Sequence, residues 1–133
     1  MEVREGMSKV VLTVGPGHTL RDAARMMTAK GVGAAIVIDE DAPGPGIISE
    51  RDVLVSLGRG EDPDSERVGD HMSGSVITAA PDWSLERAAA DMAARGIRHL
   101  VICENSDLVG VLSMRDIMRV WTSDGATSAM SPG

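Results

Sequence analysis

The sequence predicts a mixed α/β (α+β) fold built from two copies of one β-α-β-β-α unit. Three observations lead there. The stretch Gly46-Ile47-Ile48-Ser49-Glu50-Arg51-Asp52 returns as Gly110-Val111-Leu112-Ser113-Met114-Arg115-Asp116, 64 residues later. Self-similarity at a fixed spacing marks an internal repeat. Leu20, Ala23, Ala24 and Met27, and again Leu85, Ala88, Ala89 and Met92, fall at i, i+3, i+4 and i+7, which is one apolar face of an α-helix in each copy. The runs Val32 to Ile38 and Leu100 to Cys103 are near-continuously apolar, as in strands covered on both faces.

Each copy can be taken in order. Val3-Arg4-Glu5-Gly6-Met7-Ser8 opens the chain, and Val68-Gly69-Asp70-His71-Met72-Ser73 resembles it at an offset of 65. Short β-prone runs follow, Val10 to Val14 and Val76 to Thr78, each leading to a strand-ending proline, Pro16 or Pro81. Thr19 and Ser84 are placed as helix N-caps, and Gly31 and Gly96 as left-handed C-terminal caps. After the apolar strand comes a polar turn, Asp39 to Pro45 or Glu104 to Asp107. Then comes the repeated junction, where a strand ends in a serine and a helix starts with an Asp three residues on. The closing helices, around Val53 to Leu57 and Ile117 to Trp121, are apolar on more than one face and so need cover on several sides. The expected division is residues 1–66 as the first repeat with its linker, 67–121 as the second repeat, and 122–133 as a loose C-terminal tail.

Composition narrows the function classes. The 133 residues, 43% of them hydrophobic, suffice for one compact domain or two small halves. No apolar run reaches a membrane span of roughly 18–20 residues, and the N-terminus has no signal-peptide core. One cysteine, Cys103, excludes an intrachain disulfide framework and points to a reducing cytoplasm. A net charge of −7 without a basic block, with no Phe, no Tyr and only two Trp, argues against a nucleic-acid groove. His18, His71, His99 and Cys103 show no metal-ligand spacing. Cys103 lies within an apolar strand and reads as a core residue rather than a nucleophile. No base–nucleophile pattern marks an enzyme.

Laid out this way, the chain resembles a tandem pair of CBS (cystathionine β-synthase) domains over roughly Val3 to Trp121, of the kind found in stand-alone bacterial CBS-domain proteins. The family's ligand signature is Gly, apolar, any residue, Ser or Thr, any two, then Asp. Gly46, Ser49 and Asp52 match it, as do Gly110, Ser113 and Asp116. The resemblance implies two repeats packed about a pseudo-twofold axis, with two clefts that commonly take adenine nucleotides. In such a cleft an Asp accepts from a ribose diol and a Ser hydroxyl donates to phosphate. The helix N-terminus adds N–H groups and partial positive charge. By the same resemblance Thr13, Val14 and Pro16 line one cleft and Thr78, Ala79 and Pro81 the other.

Arg98 and His99 precede the second-copy strand where the family often places phosphate-contacting cations; the first copy has Gly33 and Ala34 there. Arg51 and Arg115 are further cation candidates. The expectation is a cytoplasmic, non-enzymatic regulatory module that needs no cofactor. It takes AMP first, or ADP, ATP or S-adenosylmethionine, as a regulatory ligand, forms a homodimer and signals to a protein partner, with no nucleic acid or membrane involved. The alternative is a structural or stress-response dimer with empty clefts, because Ser-x-x-Asp at a helix start is also a plain capping pair.

Overall fold

The computed structural model describes residues 1–74 and 76–123. Its elements in chain order are α1 (Val3–Gly6), β1 (Thr13–Val14), α2 (Leu20–Lys30), β2 (Ala34–Val37), β3 (Gly46–Ser49), α3 (Glu50–Gly58), α4 (Val68–His71), β4 (Thr78–Ala79), α5 (Leu85–Arg95), β5 (His99–Glu104), β6 (Asp107–Ser113) and α6 (Met114–Ser123). They form two compact units, one of Val10–Val76 and one of Met1–Lys9 together with the chain from Ile77 onward.

In the unit of residues 10–76 the sheet order is β1-β2-β3, with β1 parallel and β3 antiparallel to β2. All four residues of β2 are buried, as the continuous apolar run requires of a central strand. Thr19 caps α2. Its Oγ accepts the Asp22 N–H and the Asp22 carboxylate accepts the Thr19 N–H, both at 3.1 Å. Those bonds favour the ionised carboxylate and hold Asp22 below its ordinary value. The helix ends at Gly31, whose φ of +68° is open to glycine at little cost. Leu20, Ala23 and Met27 face the core with Ile48, Val53 and Val68.

The other unit repeats this plan as β4-β5-β6. Ser84 Oγ accepts the Arg87 N–H at 3.0 Å, and α5 ends at Gly96 with φ +66°. The Arg87 guanidinium lies 3.6 Å from the centre of the Trp83 ring, a cation–π contact at the helix start. Leu85, Ala88 and Met92 pack with Leu100, Ile102, Leu112 and Ile117.

The compact units and the sequence repeats divide the chain differently. Residues 1–9 belong with the second repeat. Val3 N–H donates to Trp83 O at 2.8 Å, Arg4 N–H to Pro81 O at 3.0 Å and Leu85 N–H to Met1 O at 2.9 Å, while Ser8 and Val111 exchange both backbone bonds. The segment 68–73 does the same for the first repeat: Val68 N–H donates to His18 O at 2.8 Å, Gly69 N–H to Pro16 O at 2.9 Å, and Ser73 and Ile47 exchange both bonds. Val3 and Val68 are each fully buried. The two segments look alike in sequence because they fill the same slot, each on the opposite repeat.

Two local expectations shift. The β-prone run at Val10 yields only a two-residue strand, Thr13 and Val14 paired with Ile36 and Val37, and Val10 lies outside it, half exposed. The last helix runs to Ser123, two residues into the stretch read as tail; residues 124–133 lie outside the described residues. The closing helices do carry more than one apolar face. Val53 and Ile117 are buried, whereas Leu54 is 68% and Trp121 58% exposed in the single chain, with Leu57 and Met118 also exposed.

Candidate functional site

Each repeated junction is a strand end that feeds a helix start, and in both copies it closes on itself. Ser49 N–H donates to Asp52 Oδ2 at 2.8 Å, Ser49 Oγ donates to the same oxygen at 3.0 Å, and Asp52 N–H donates to Ser49 Oγ at 3.4 Å. Ser113 N–H donates to Asp116 Oδ2 and Asp116 N–H to Ser113 Oγ, both at 2.9 Å. These are full capping boxes, each worth about 0.5–2 kcal/mol of helix stability.

The signature glycine also has a steric reason. A Cβ on Gly46 would lie 2.9 Å from Ser73 O and 3.0 Å from Met72 Sδ; on Gly110 it would lie 2.8 Å from both Ser8 O and Met7 Sδ. The segment exchanged from the other repeat crosses the strand there, so even a methyl group forces the backbone to move.

What remains for a ligand is the unused capacity of the two carboxylates, since an ionised Asp offers about four acceptor positions, and the N-termini of α3 and α6. The copies differ at this point. Asp116 Oδ1 accepts from Arg119 Nη2 at 2.9 Å; Arg119, one turn on in the same helix, was not singled out in the sequence, although an Asp–Arg pair at i,i+3 is a legible signal. Asp52 instead opens with Arg51 onto a pocket of about 250 Å³ completed by Val55, Arg59, Asp70 and His71. Two guanidinium groups and two carboxylates therefore share one cavity wall, and Arg59, Asp70 and His71 were likewise not marked by the signature.

The remaining predicted residues fall into two matched sets. His99 stands directly across from Ser113 in the β5–β6 register, as Ala34 stands across from Ser49. Arg98 is exposed beside it, and its carbonyl accepts the Met114 N–H at 2.9 Å. Arg115 is exposed in the first turn of α6. Thr13 and Thr78 are exposed, Val14, Ala79 and Pro81 are buried, and Pro16 is half-buried.

Within each unit these strand-end residues are not brought to the junction. Ser49 pairs with Ala34 at the start of β2 and Val14 with Val37 at its end. The two sets thus lie at opposite ends of the central strand, about 10 Å apart along it, and the second unit has the same plan. Cys103 is half-buried, and burial pushes its thiol pKa up, which disfavours the thiolate needed of a nucleophile.

The profile of the CBS domain matches this sequence twice, at residues 2–59 and 68–123. The chain belongs to the CBS-domain family. It is 31% identical over 131 residues to the CBS domain-containing protein YhcV of Bacillus subtilis, covering 97% of this chain and 92% of that one. It is 33% identical over 122 residues to the uncharacterised protein MK0525 of Methanopyrus kandleri, of which it spans 62%. Among solved structures it superposes on the hexameric CBS-CP12 protein from bloom-forming cyanobacteria with a TM-score of 0.85 at 26% identity, covering 96% of this chain and 73% of that one. The two sheets and their helices are thus a CBS pair, a module of the regulatory class. Among the described residues no helix is long and apolar enough to cross a membrane.

Proposed function

We propose that this CBS pair is a cytoplasmic sensor that binds an adenine nucleotide or related adenosyl ligand, AMP first, and passes the binding on to a protein partner through ligand-biased geometry. The observation that carries the reading is the repeated junction itself: an Asp carboxylate with spare acceptor capacity, a serine hydroxyl and a helix N-terminus, held in the same register in both units. That set suits a ribose diol and a phosphate. In support, a CBS pair of the same fold, that of protein MJ0100, is solved in complex with 5-methylthioadenosine and S-adenosyl-L-methionine, at 21% identity. The preferred cleft is that of the second repeat: Ser113 and Asp116, with His99 facing Ser113 and Arg98 and Arg115 adding cations, would meet one end of the ligand, and Thr78, Ala79, Pro81 and Gly110, toward the other end of β5, its far end.

Calorimetry with AMP tests this. Asp116→Ala is expected to weaken binding by 10-fold to 100-fold, the loss of hydrogen bonds to a charged group worth about 1.5–3 kcal/mol, and Asp52→Ala by much less. Both substitutions remove a capping carboxylate, so their stability losses in denaturant should be similar. A larger affinity loss at Asp52 moves the site to the cleft of Thr13, Val14, Pro16, Gly46, Ser49 and Arg51. No heat with AMP, ADP, ATP or S-adenosylmethionine at millimolar level leaves the junctions as helix caps only.

That second reading, a structural or stress-response dimer, is favoured by the internal closure of both capping boxes. Either reading includes a homodimer, because Leu54, Leu57, Met118 and Trp121 leave the outer faces of α3 and α6 apolar and uncovered in one chain. Sedimentation at micromolar concentration should return twice the 13.9 kDa chain mass, and a monomer at every concentration would refute the dimer.

A further inference from the structure

Next to the pocket of the first junction, which His71 also lines, three side chains with metal-ligating atoms converge beside α4. Glu61 and Glu66 come from the segment between α3 and α4, and His71 ends α4; one donor atom of each lies within 4.8 Å of the other two. All three are half-buried. His71 Nε2 and Glu66 Oε1 are 2.8 Å apart, and an imidazole–carboxylate bond accounts for that pair. It does not account for Glu61, a second carboxylate brought to the same imidazole. Nor is Glu61 there by drift. Its Oε1 accepts from Ser56 Oγ at 2.8 Å and its backbone N–H donates to Ser56 O at 3.2 Å. Ser56, 1% exposed, is the one fully buried polar side chain among the described residues.

We propose that Glu61, Glu66 and His71 form a binding site for a divalent transition-metal ion of the zinc class. One imidazole nitrogen with two carboxylate oxygens is a ligand set for such an ion. Three protein ligands leave a fourth position for water, whereas calcium and magnesium prefer oxygen alone. Bonds of about 2.0–2.2 Å place neighbouring donors roughly 3.0–3.6 Å apart, so the present cluster needs shifts of about an ångström or less. The Ser56 hydroxyl is the outer hydrogen bond that orients a ligating carboxylate. The ion ties the segment between the repeats to α4 and stabilises the unit of residues 10–76; its site shares His71 with the pocket beside Asp52, but none of the three ligands belongs to a junction.

The test uses the full chain, stripped of metal with EDTA and free of nucleotide. Zinc chloride is titrated by calorimetry, cobalt(II) binding is followed by its visible absorption, and melting is recorded with and without zinc. Binding to one site per chain is expected, with a raised melting temperature. Glu61→Gln, Glu66→Gln and His71→Gln should each weaken it about tenfold or more and abolish the zinc-dependent melting shift. Ser56→Ala should weaken it about tenfold or more through the orienting bond alone. The metal-free melt of each variant shows that it is folded. No zinc binding by the folded wild-type chain overturns the proposal. So does unchanged affinity in the three ligand variants, or loss of binding on Cys103→Ser, which would place the ion at the thiol.

Discussion

Val3→Asp should unfold the second repeat, although residue 3 lies in the first. Val3 is fully buried in the unit formed by residues 1–9 and the chain from Ile77 onward. It packs in the cluster of Leu85, Met92, Leu100 and Leu112. An ionised carboxylate placed there has no partner, and leaving a charge uncompensated in such a site costs about 3–5 kcal/mol. That is a large part of the roughly 5–15 kcal/mol that holds an ordinary domain together. Trp83 and Trp121, the chain's only tryptophans, both belong to this unit, so urea unfolding followed by tryptophan fluorescence reads it directly. Hydrogen exchange should show β4, β5 and β6 losing protection. Val10→Asp, at a half-exposed position, is the matched control and should change stability by no more than about 0.5 kcal/mol. Loss of protection in β1, β2 and β3 instead would return the opening segment to its own repeat.

Leu112→Ala should cost about 2–5 kcal/mol, the transfer of the lost side chain plus the cavity it leaves. Leu112 is fully buried one residue before the end of β6, pairs in register with the equally buried Leu100, and approaches Gly6 of the exchanged segment. Ile48, its counterpart 64 residues earlier, is buried in the same way across from Ala35, and Ile48→Ala should bring a comparable loss. The check is a fall in the urea midpoint with little change in the denaturant slope. A loss below about 1 kcal/mol would mean that neighbouring side chains collapse into the space, and that the junction strand is less central to the core than its burial implies.

These two residues mark what the sequence made legible and what it did not. Caps, helix faces and central strands are local: Thr19, Ser84, Gly31 and Gly96 do what their spacing to the apolar face implies. The exchange of opening segments is not local. Ser8 meets Val111, and no periodicity records a pairing over that distance, so the similarity of Val3–Ser8 to Val68–Ser73 could be seen without its reason. Four-residue helices such as α1 and α4 are likewise too short to show a helical period. The resemblance makes the signature glycines a ligand mark; their tight contacts with Met7, Ser8, Met72 and Ser73 are a further reason for them, one that exists only after that exchange. At the junctions the Ser–Asp pairing was legible, but Arg119's claim on Asp116 and the convergence of Glu61 and Glu66 on His71 required the folded chain.

The exchange also sets an order for folding during synthesis. Residues 10–76 are continuous, and every strand and helix of their unit has left the ribosome before the second sheet is complete. Residues 1–9 are made before everything they pack against: the edge that Ser8 joins includes Val111, so this segment waits unpaired while more than a hundred further residues are added. At about 5–20 residues per second that wait lasts several seconds or more. Throughout it Val3 and Met7 are apolar groups without a seat, which gives a chaperone a long opportunity to hold this segment.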